Sequence, residues 1–566
     1  MNRFLQVFCA FFSGLILALA IPNEILLFGS PVMGIFALVP LYIAIAHASS
    51  YREAFLLTAL QAFTVHMLSS FWLANFRDFA VFTLGASALG TAFVAACFGL
   101  LLYVPYSTRN MLLENAGKKS AAVSFRILYF ALVWTLWEWA KSNGFLGYPW
   151  GTVSMTAYSF KPIIQIADIA GAYGITFIFA FFSAVVAEGF LLLDTTIHAV
   201  KPAGIIRDYR NTASALCVLA VLAFCYGIYQ YYKPRTPVKF LNTVIVQQNL
   251  DPWAEENDTA SITVSEKLTE EKIREFKDSG VQPDLVLWSE AVLHYAFPYS
   301  AGHYSVFPQE EPLLSFIQRM HVPFVIGAPY AFNQQRHLYG NAAVMLDENG
   351  TYRGAFCKMH LVPFAEAIPG TEYEWVLKFM DAIVGFSSGW KAGEQYVLFD
   401  IPGKINPDVL TPVQIISLDT NAVKKDPVVR ISTPICFEDA FPPVCRGLYM
   451  AGSEVFMNIT DDSWSLTKSA EYQHFVIAAL RAVEFRTTLV RSTNSGYSAV
   501  VDPSGRIIKD LPLFSTASLA YPVPVYSHSP TIYAQYGDWF VYLAGILVAV
   551  YIFLLGTKNT KLQSYC

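Results

Sequence analysis

Charge is scarce in this chain. Of its 566 residues 14% are Asp, Glu, Lys or Arg, while 54% are hydrophobic. A soluble domain is about a quarter charged and roughly 45–50% apolar, so the balance argues against a wholly soluble protein and points to membrane spans. An excess of basic residues is missing as well. The formal net charge is −5, which gives no hint of nucleic-acid binding. Paired cysteines are also absent. The eight cysteines are Cys9, Cys97, Cys217, Cys225, Cys357, Cys436, Cys445 and Cys566, with no CxxC among them, so zinc and redox-disulfide readings are weak. Cys9, Cys97, Cys217 and Cys225 lie in apolar runs and read as inert packing. Internal repeats and low-complexity runs are lacking too.

What is present first is hydrophobic length. A membrane-spanning helix needs about 20 apolar residues. Suitable runs fall at 4–20, 25–46, 54–74, 81–106, 124–140, 163–193 and 213–232, and one more closes the chain at 533–556. The run 163–193 is long enough for a tilt or a break near Gly171 and Gly174. Arg3, a short apolar run and Ala18-Leu19-Ala20 also fit a cleavable signal peptide, but another apolar run follows at once. Lys and Arg in short loops set orientation. Arg3, Arg52, Arg109, Lys118, Lys119, Arg126, Lys201, Arg207, Arg210, Lys558 and Lys561 fall on one side, and only Arg77, Lys141 and Lys161 on the other. Both termini are then cytoplasmic, and 233–532 lies outside, which in a bacterium is the periplasmic face. The expected organisation is a transmembrane domain over 1–232 with about seven spans, an outer domain over 233–532, and a last helix with a cytoplasmic tail over 533–566.

The outer segment alternates strand-like and helix-like patterns. Strands are expected at Val244–Val246, Leu285–Trp288, Phe324–Ile326, Ala342–Leu346, Tyr352–Lys358, Val428–Ile435, Val455–Ile459, Leu489–Ser492 and Ser498–Val501. Helices are expected at Ala260–Lys277, Glu311–Met320 and Ser469–Arg486, the last with Ser469 as its cap. Asp502-Pro503-Ser504-Gly505 predicts a hairpin turn. Thr236-Pro237 and Tyr521-Pro522-Val523-Pro524 read as linkers to the membrane. The alternation implies an α/β layered domain.

Three places in this segment put a reactive group at or near a strand end: Glu290 after Asp284–Trp288, Lys358 after Tyr352–Cys357, and Cys436 after Val428–Ile435. Sheet gives way to loop there, a common place for chemistry. The nearby Glu438 cannot lower the thiol pKa, because its charge opposes the thiolate. Cys436 therefore needs a cation and a base from elsewhere. Taken singly, each residue has a plain structural explanation: a buried cysteine, a helix N-terminal acid, a solvated edge lysine. Converging, they supply what acyl transfer through a thiol requires. A carboxylate takes the thiol proton, an ammonium stabilises the thiolate and then the oxyanion, and the sulfur carries the acyl group.

Trp288-Ser-Glu290, then Cys357-Lys358-Met-His360-Leu-Val-Pro-Phe364-Ala-Glu366, then Cys436-Phe437-Glu438 resembles the Glu-Lys-Cys triad pattern of the nitrilase superfamily. The run from Lys358 to Glu366, together with the membrane-embedded N-terminal half, is similar specifically to the bacterial apolipoprotein N-acyltransferases. The resemblance implies an αββα nitrilase-like sandwich joined to a multi-span α-helical membrane domain. It implies Glu290 as base, Lys358 as cation and Cys436 as nucleophile, with Glu366 and Glu438 as supporting carboxylates. Trp253 matches an aromatic near the mouth of the site, Trp464 lies in a loop flanking the thiol, and Trp150 in Gly147-Tyr-Pro-Trp150 matches a motif near where lipid enters. As plain tryptophans beside a membrane, all three also fit interface anchors. Phe437 stands where many members have Tyr, Ala365 where Gly is frequent, and Cys357 beside the lysine is unusual. His360 reads as structural.

The implied reaction moves an acyl chain from a membrane phospholipid, through a cysteine thioester, to the α-amine of a diacylglyceryl-modified apolipoprotein, with no metal or other cofactor. Two alternatives share parts of the pattern. One is a membrane-anchored nitrilase-type amidase, in which water takes the acyl group. The other is a transporter with an outer binding domain, which would use Glu138, Asp168 and Glu188 along a pathway.

Overall fold

The computed structural model describes residues 1–76, 81–107, 121–198, 203–251, 258–367, 370, 373–376, 378, 389–409 and 427–563. These fall into two compact units. One comprises Met1–Tyr232, Thr467–Val476 and Gln535–Cys566, the other Lys233–Leu466 and Ile477–Ala534.

The first unit is helical. Among the described residues four helices are long and apolar enough to cross a membrane: Arg3–Ala20, Thr83–Tyr106, Ala167–Leu193 and Gly204–Tyr232. The runs at 25–46 and 533–556 hold the shorter apolar helices Pro31–Ala46 and Trp539–Leu554. Those at 54–74 and 124–140 are helical over Tyr51–Ser69 and Ala121–Ser142, but Arg52, Glu53 and His66 make the first more polar, and Arg126, Glu138 and Lys141 the second. The break in the long run falls at Gly171, with φ 64° and ψ −173°, a conformation essentially confined to glycine.

Thr467–Val476, left in the outer segment by the sequence pattern, packs with this helical unit because its polar side chains are used there. Gln473 Nε2 donates to the carbonyls of Pro22 and Ser69, each at 2.9 Å, and Trp72 Nε1 donates to Gln473 Oε1. Ser469 is not a cap. It lies inside the helix Lys468–Phe485, and its amide and hydroxyl both donate to Glu24 Oε1.

Among its described residues the second unit carries thirteen strands: β1 (Lys239–Gln247), β2 (Leu285–Leu287), β3 (Phe324–Asn333), β4 (Leu338–Leu346), β5 (Tyr352–Cys357), β6 (Phe399–Pro402), β7 (Lys404–Ile405), β8 (Val428–Ser432), β9 (Val455–Thr460), β10 (Thr488–Thr493), β11 (Ala499–Val501), β12 (Ile507–Asp510) and β13 (Ala517–Val525). One sheet runs β13-β1-β2-β3-β4-β5, with β7 against β1; the other runs β12-β11-β10-β9-β8-β6. Apolar side chains of β1, β2, β3 and β4 form one core with Ile262, Ile273 and Phe276 of the helix Thr259–Asp278 and with Phe316 and Ile317 of Leu313–Met320. Phe456 of β9 packs on Tyr449 of the helix Pro442–Met450 and on Phe485. The sheets face each other where Ser492 Oγ of β10 donates to the carbonyls of Val246 and Leu287. The architecture is an αββα sandwich. Every residue of β9 and β10 is buried, as expected for strands covered on both faces.

Two expectations change. Tyr521–Pro524 is not a linker but part of β13, with Pro522 opposite Asn242 and Pro524 opposite Phe240. β13 ends its sheet, and an edge strand tolerates residues that cannot donate to a ladder. The strand before Cys436 stops at Ser432 rather than Ile435, because Pro434 has no N–H to extend it. The Asp502–Gly505 turn does join β11 to β12. Asp502 Oδ1 accepts the amides of Ser504 and Arg506 there.

Candidate active site

Beyond Ser432 the chain is guided side by side with β9. Ile435 bridges to Ile459, and Asn458 Nδ2 donates to the carbonyls of Pro434 at 3.0 Å and Cys436 at 2.9 Å. Cys436 then begins a tight turn, Cys436–Ala440, with φ +52°. A left-handed non-glycine residue costs on the order of 1–3 kcal/mol and persists only where its surroundings impose it. Here Glu438 does so. Its Oε2 accepts the Ile435 amide at 2.8 Å, and its Oε1 accepts the amides of Met359 and His360 at 2.6 and 3.0 Å. One carboxylate thus ties the thiol's turn to the chain just after Lys358. Burial nevertheless holds the Glu438 carboxyl up at about 7, against the lowering effect of those amides.

Lys358 follows β5 and is almost fully buried (1% exposed). Its amide donates to Asn341 O. Its Nζ lies 2.8 Å from Glu366 Oε1 and 3.4 Å from Glu290 Oε1, and 5.3 Å from the centroid of the Phe437 ring. Phe437 therefore offers the cation an aromatic face. Glu290 follows β2, where the chain passes so close to β3 that a Cβ on Gly327 would lie 2.5 Å from Glu290 Cα. Only glycine fits there. The Glu290 carboxylate is held at both oxygens: Asn341 Nδ2 donates to Oε1 at 2.6 Å and the Asp461 amide to Oε2 at 2.8 Å. Glu366 Oε2 accepts the Val362 amide, and its Oε1 also accepts from Asn341 Nδ2 at 3.1 Å.

The charges act on one another. Burial pushes the Cys436 thiol well up; Glu290, Asp462 and Glu366 push the same way and Lys358 opposes them. Burial works to lower Lys358, but Cys436, Glu366 and Glu290 outweigh it, and the ammonium is held firmly charged. Burial also raises Glu290, with Lys358 opposing. The resting site is thus a protonated thiol beside a cation and a carboxyl whose proton affinity is enhanced. Burial, with Glu438 adding and Lys391 opposing, pushes the Cys357 thiol up as well, to about 12.

Glu290, Lys358 and Glu366 thus meet in one hydrogen-bonded cluster, and Glu438 ties the turn of Cys436 to the chain just after Lys358. Trp464 stands on the half-buried turn Ser463–Ser465, just past Asp461. Trp150 belongs to the first unit, where it stacks on Tyr148. Trp253 lies outside the described residues. The sequence reading missed Asn341, which bridges the two carboxylates. Its one signal is a polar residue heading the apolar run Ala342–Leu346.

Comparison with known proteins places both units. A model of the apolipoprotein N-acyltransferase N-terminal domain matches residues 13–185, and one of carbon-nitrogen hydrolases matches 253–523. Apolipoprotein N-acyltransferase 2 of Treponema denticola is 41% identical, over 98% of this chain and 98% of that protein. The chain belongs to the apolipoprotein N-acyltransferase family. Apolipoprotein N-acyltransferase 2 of Treponema pallidum is 37% identical over 94% of this chain and 92% of its own length. The apolipoprotein N-acyltransferase of Borreliella burgdorferi is 31% identical over 98% and 95%. Family membership accounts for a helical, membrane-suited unit and a nitrilase-like sandwich in one chain, and it makes the protein an acyltransferase with a membrane location.

Proposed function

We propose that Cys436 takes an acyl chain from a membrane phospholipid as a thioester and passes it to the α-amine of a diacylglyceryl-cysteine apolipoprotein. Glu290 accepts the thiol proton as sulfur attacks the ester carbonyl. The oxyanion forms beside the Lys358 ammonium. As the intermediate collapses, Glu290 returns the proton to the departing glycerol oxygen, releasing lysophospholipid. In the second half the acceptor amine attacks the thioester, Glu290 takes a proton from nitrogen, and that proton goes to the leaving Cys436 sulfur. The product is an amide, and thiol and base return to their starting states. Glu366 and Glu438 receive no proton: the first holds Lys358, the second holds the turn. Trp150, Trp253 and Trp464 are assigned to substrate contact.

The observation that carries this reading is the single buried ammonium of Lys358 shared by Glu290 and Glu366 beside a thiol set in a left-handed turn. Its test is intact-mass measurement after incubation with phospholipid and no acceptor. Wild type should gain one acyl mass and Cys436→Ala none; an adduct that survives in Cys436→Ala overturns the assignment. The Lys and Arg asymmetry supports a bacterial inner membrane with the sandwich on the periplasmic face. A reporter active only outside the cytoplasm, fused after Lys239, should then be active, and an inactive fusion there would reverse the orientation.

A further inference from the structure

We propose that Arg491 is a positioning residue that locks the turn carrying Cys436 to the loop that aims Glu290. The proposal rests on the roles given above to those two residues. Arg491 lies on β10, and neither its side chain nor that of Asp439 has exposed surface (0% for each). Its Nη1 pairs with Asp439 Oδ2, and its Nη2 reaches Asp462 Oδ2 at 3.5 Å. Asp439 belongs to the turn Cys436–Ala440. Asp462 directly follows Asp461, whose amide donates to Glu290 Oε2. One guanidinium therefore grips both the nucleophile's turn and the base's loop.

The strand backbone reinforces the grip. Arg491 is registered opposite Asn458 of β9, the residue whose side chain donates to the Cys436 carbonyl. Just past β10, Asn494 Nδ2 donates to Asp461 Oδ1 at 3.1 Å. A planar guanidinium presents fixed donors in two directions, whereas a lysine ammonium is a point charge on a flexible stem.

Charge and position predict different results, and this makes the proposal testable. The charged groups acting on Cys436 are Glu290, Lys358, Asp462 and Glu366, and Asp462 opposes the thiolate. If Asp462 and Arg491 acted through charge alone, Asp462→Asn would ease thiol ionisation and speed acylation. If they act as a strap, Asp462→Asn eases ionisation and yet slows acylation.

The experiment uses the full-length protein in detergent with phospholipid. It reads three quantities: the pH profile of Cys436 alkylation by iodoacetamide, the rate of acyl-adduct formation by intact mass, and the thermal midpoint. Arg491→Lys keeps the charge and should keep the alkylation profile, but it should slow adduct formation by about 10²-fold, the scale of a 1 Å misplacement. Asp462→Asn should move alkylation to lower pH and still slow the adduct. Wild-type acylation in Arg491→Lys, or acylation at or above the wild-type rate in Asp462→Asn, overturns the strap. Should Arg491→Lys fail to fold, Asp462→Asn decides alone. A wild-type protein that takes no acyl chain on Cys436 defeats the proposed function instead; an adduct in wild type with unaffected variants defeats only the role of Arg491.

Discussion

Both units bury carboxylates, and the two sets are built differently. In the helical unit Glu138, Glu188 and Asp168 each have their own donors. Glu138 accepts from Thr176 Oγ1, the Val153 amide and Trp134 Nε1. Glu188 accepts from Tyr42 and from both Nε and Nη2 of Arg126. Asp168 takes the Tyr226 hydroxyl on both oxygens. These are the residues a transport pathway would need, and each is tied into helix packing. In the sandwich, by contrast, Glu290 and Glu366 share one ammonium and one amide nitrogen, and a thiol is set among them. Burial of charge therefore does not mark a reactive site by itself. A site is marked where carboxylates outnumber their cation and a titratable nucleophile stands among them.

Equivalent substitutions in the two units sharpen that contrast. The largest effect is expected at Glu290. Glu290→Gln keeps the shape but cannot accept a proton, so no thioester should form even with excess phospholipid. Glu438→Gln loses an acceptor for the turn and should slow the same step less. Glu188→Gln, in the helical unit, should leave the rate per folded molecule unchanged. Adduct mass against time measures all three. A Glu290→Gln protein that acylates as fast as wild type would remove Glu290 as base and leave Glu366 or Glu438 to be tested next.

Next in size are the paired cations. Lys358→Met should slow acylation by about 10²–10³-fold, the effect of losing one oxyanion donor. Arg126→Met leaves Glu188 buried without its cation, a change that costs about 3–5 kcal/mol in stability. It should lower the thermal midpoint while folded molecules keep their rate. Equal rate losses in the two variants would mean that the contrast between the units is mistaken.

What could be read from sequence follows the same division. Side chains whose chemistry is unusual at a strand end were visible as types: Glu290, Lys358 and Cys436 each interrupt an apolar pattern. The groups that aim them were not. The amide of Asp461 on Glu290 is a backbone donor, which leaves no trace in residue identity. Glu438 reads as an acid near the thiol, but two of its three amide partners, Met359 and His360, come from a distant segment. Asn341 shows only as one polar residue at the head of a strand. Pro522 and Pro524 argued for a linker because proline is hostile to ladders, and only the edge position of β13 removes that objection. Gln473 and Ser469 lie on a helix whose composition does not announce which unit takes up their hydrogen bonds.

The smallest effect concerns a bystander of the cluster. His360 lies two residues from Lys358. Its ring stacks on Phe441 with centroids 3.9 Å apart and meets Phe437 edge-on at 5.3 Å. Burial, with Lys358 adding and Glu366 opposing, lowers its pKa to about 4. In the unfolded chain the imidazole takes a proton near its ordinary 6.5. The folded state therefore binds fewer protons between these values, and stability falls as pH drops from about 6.5 toward 4. This contribution is fully present above 6.5. His360→Phe keeps an aromatic ring between Phe437 and Phe441 and removes the titration. Its thermal midpoint should therefore fall less steeply than that of wild type over this acid range, with the two curves parallel above it. Midpoints measured across both ranges check this. Parallel curves throughout would show that His360 is not held neutral in the fold.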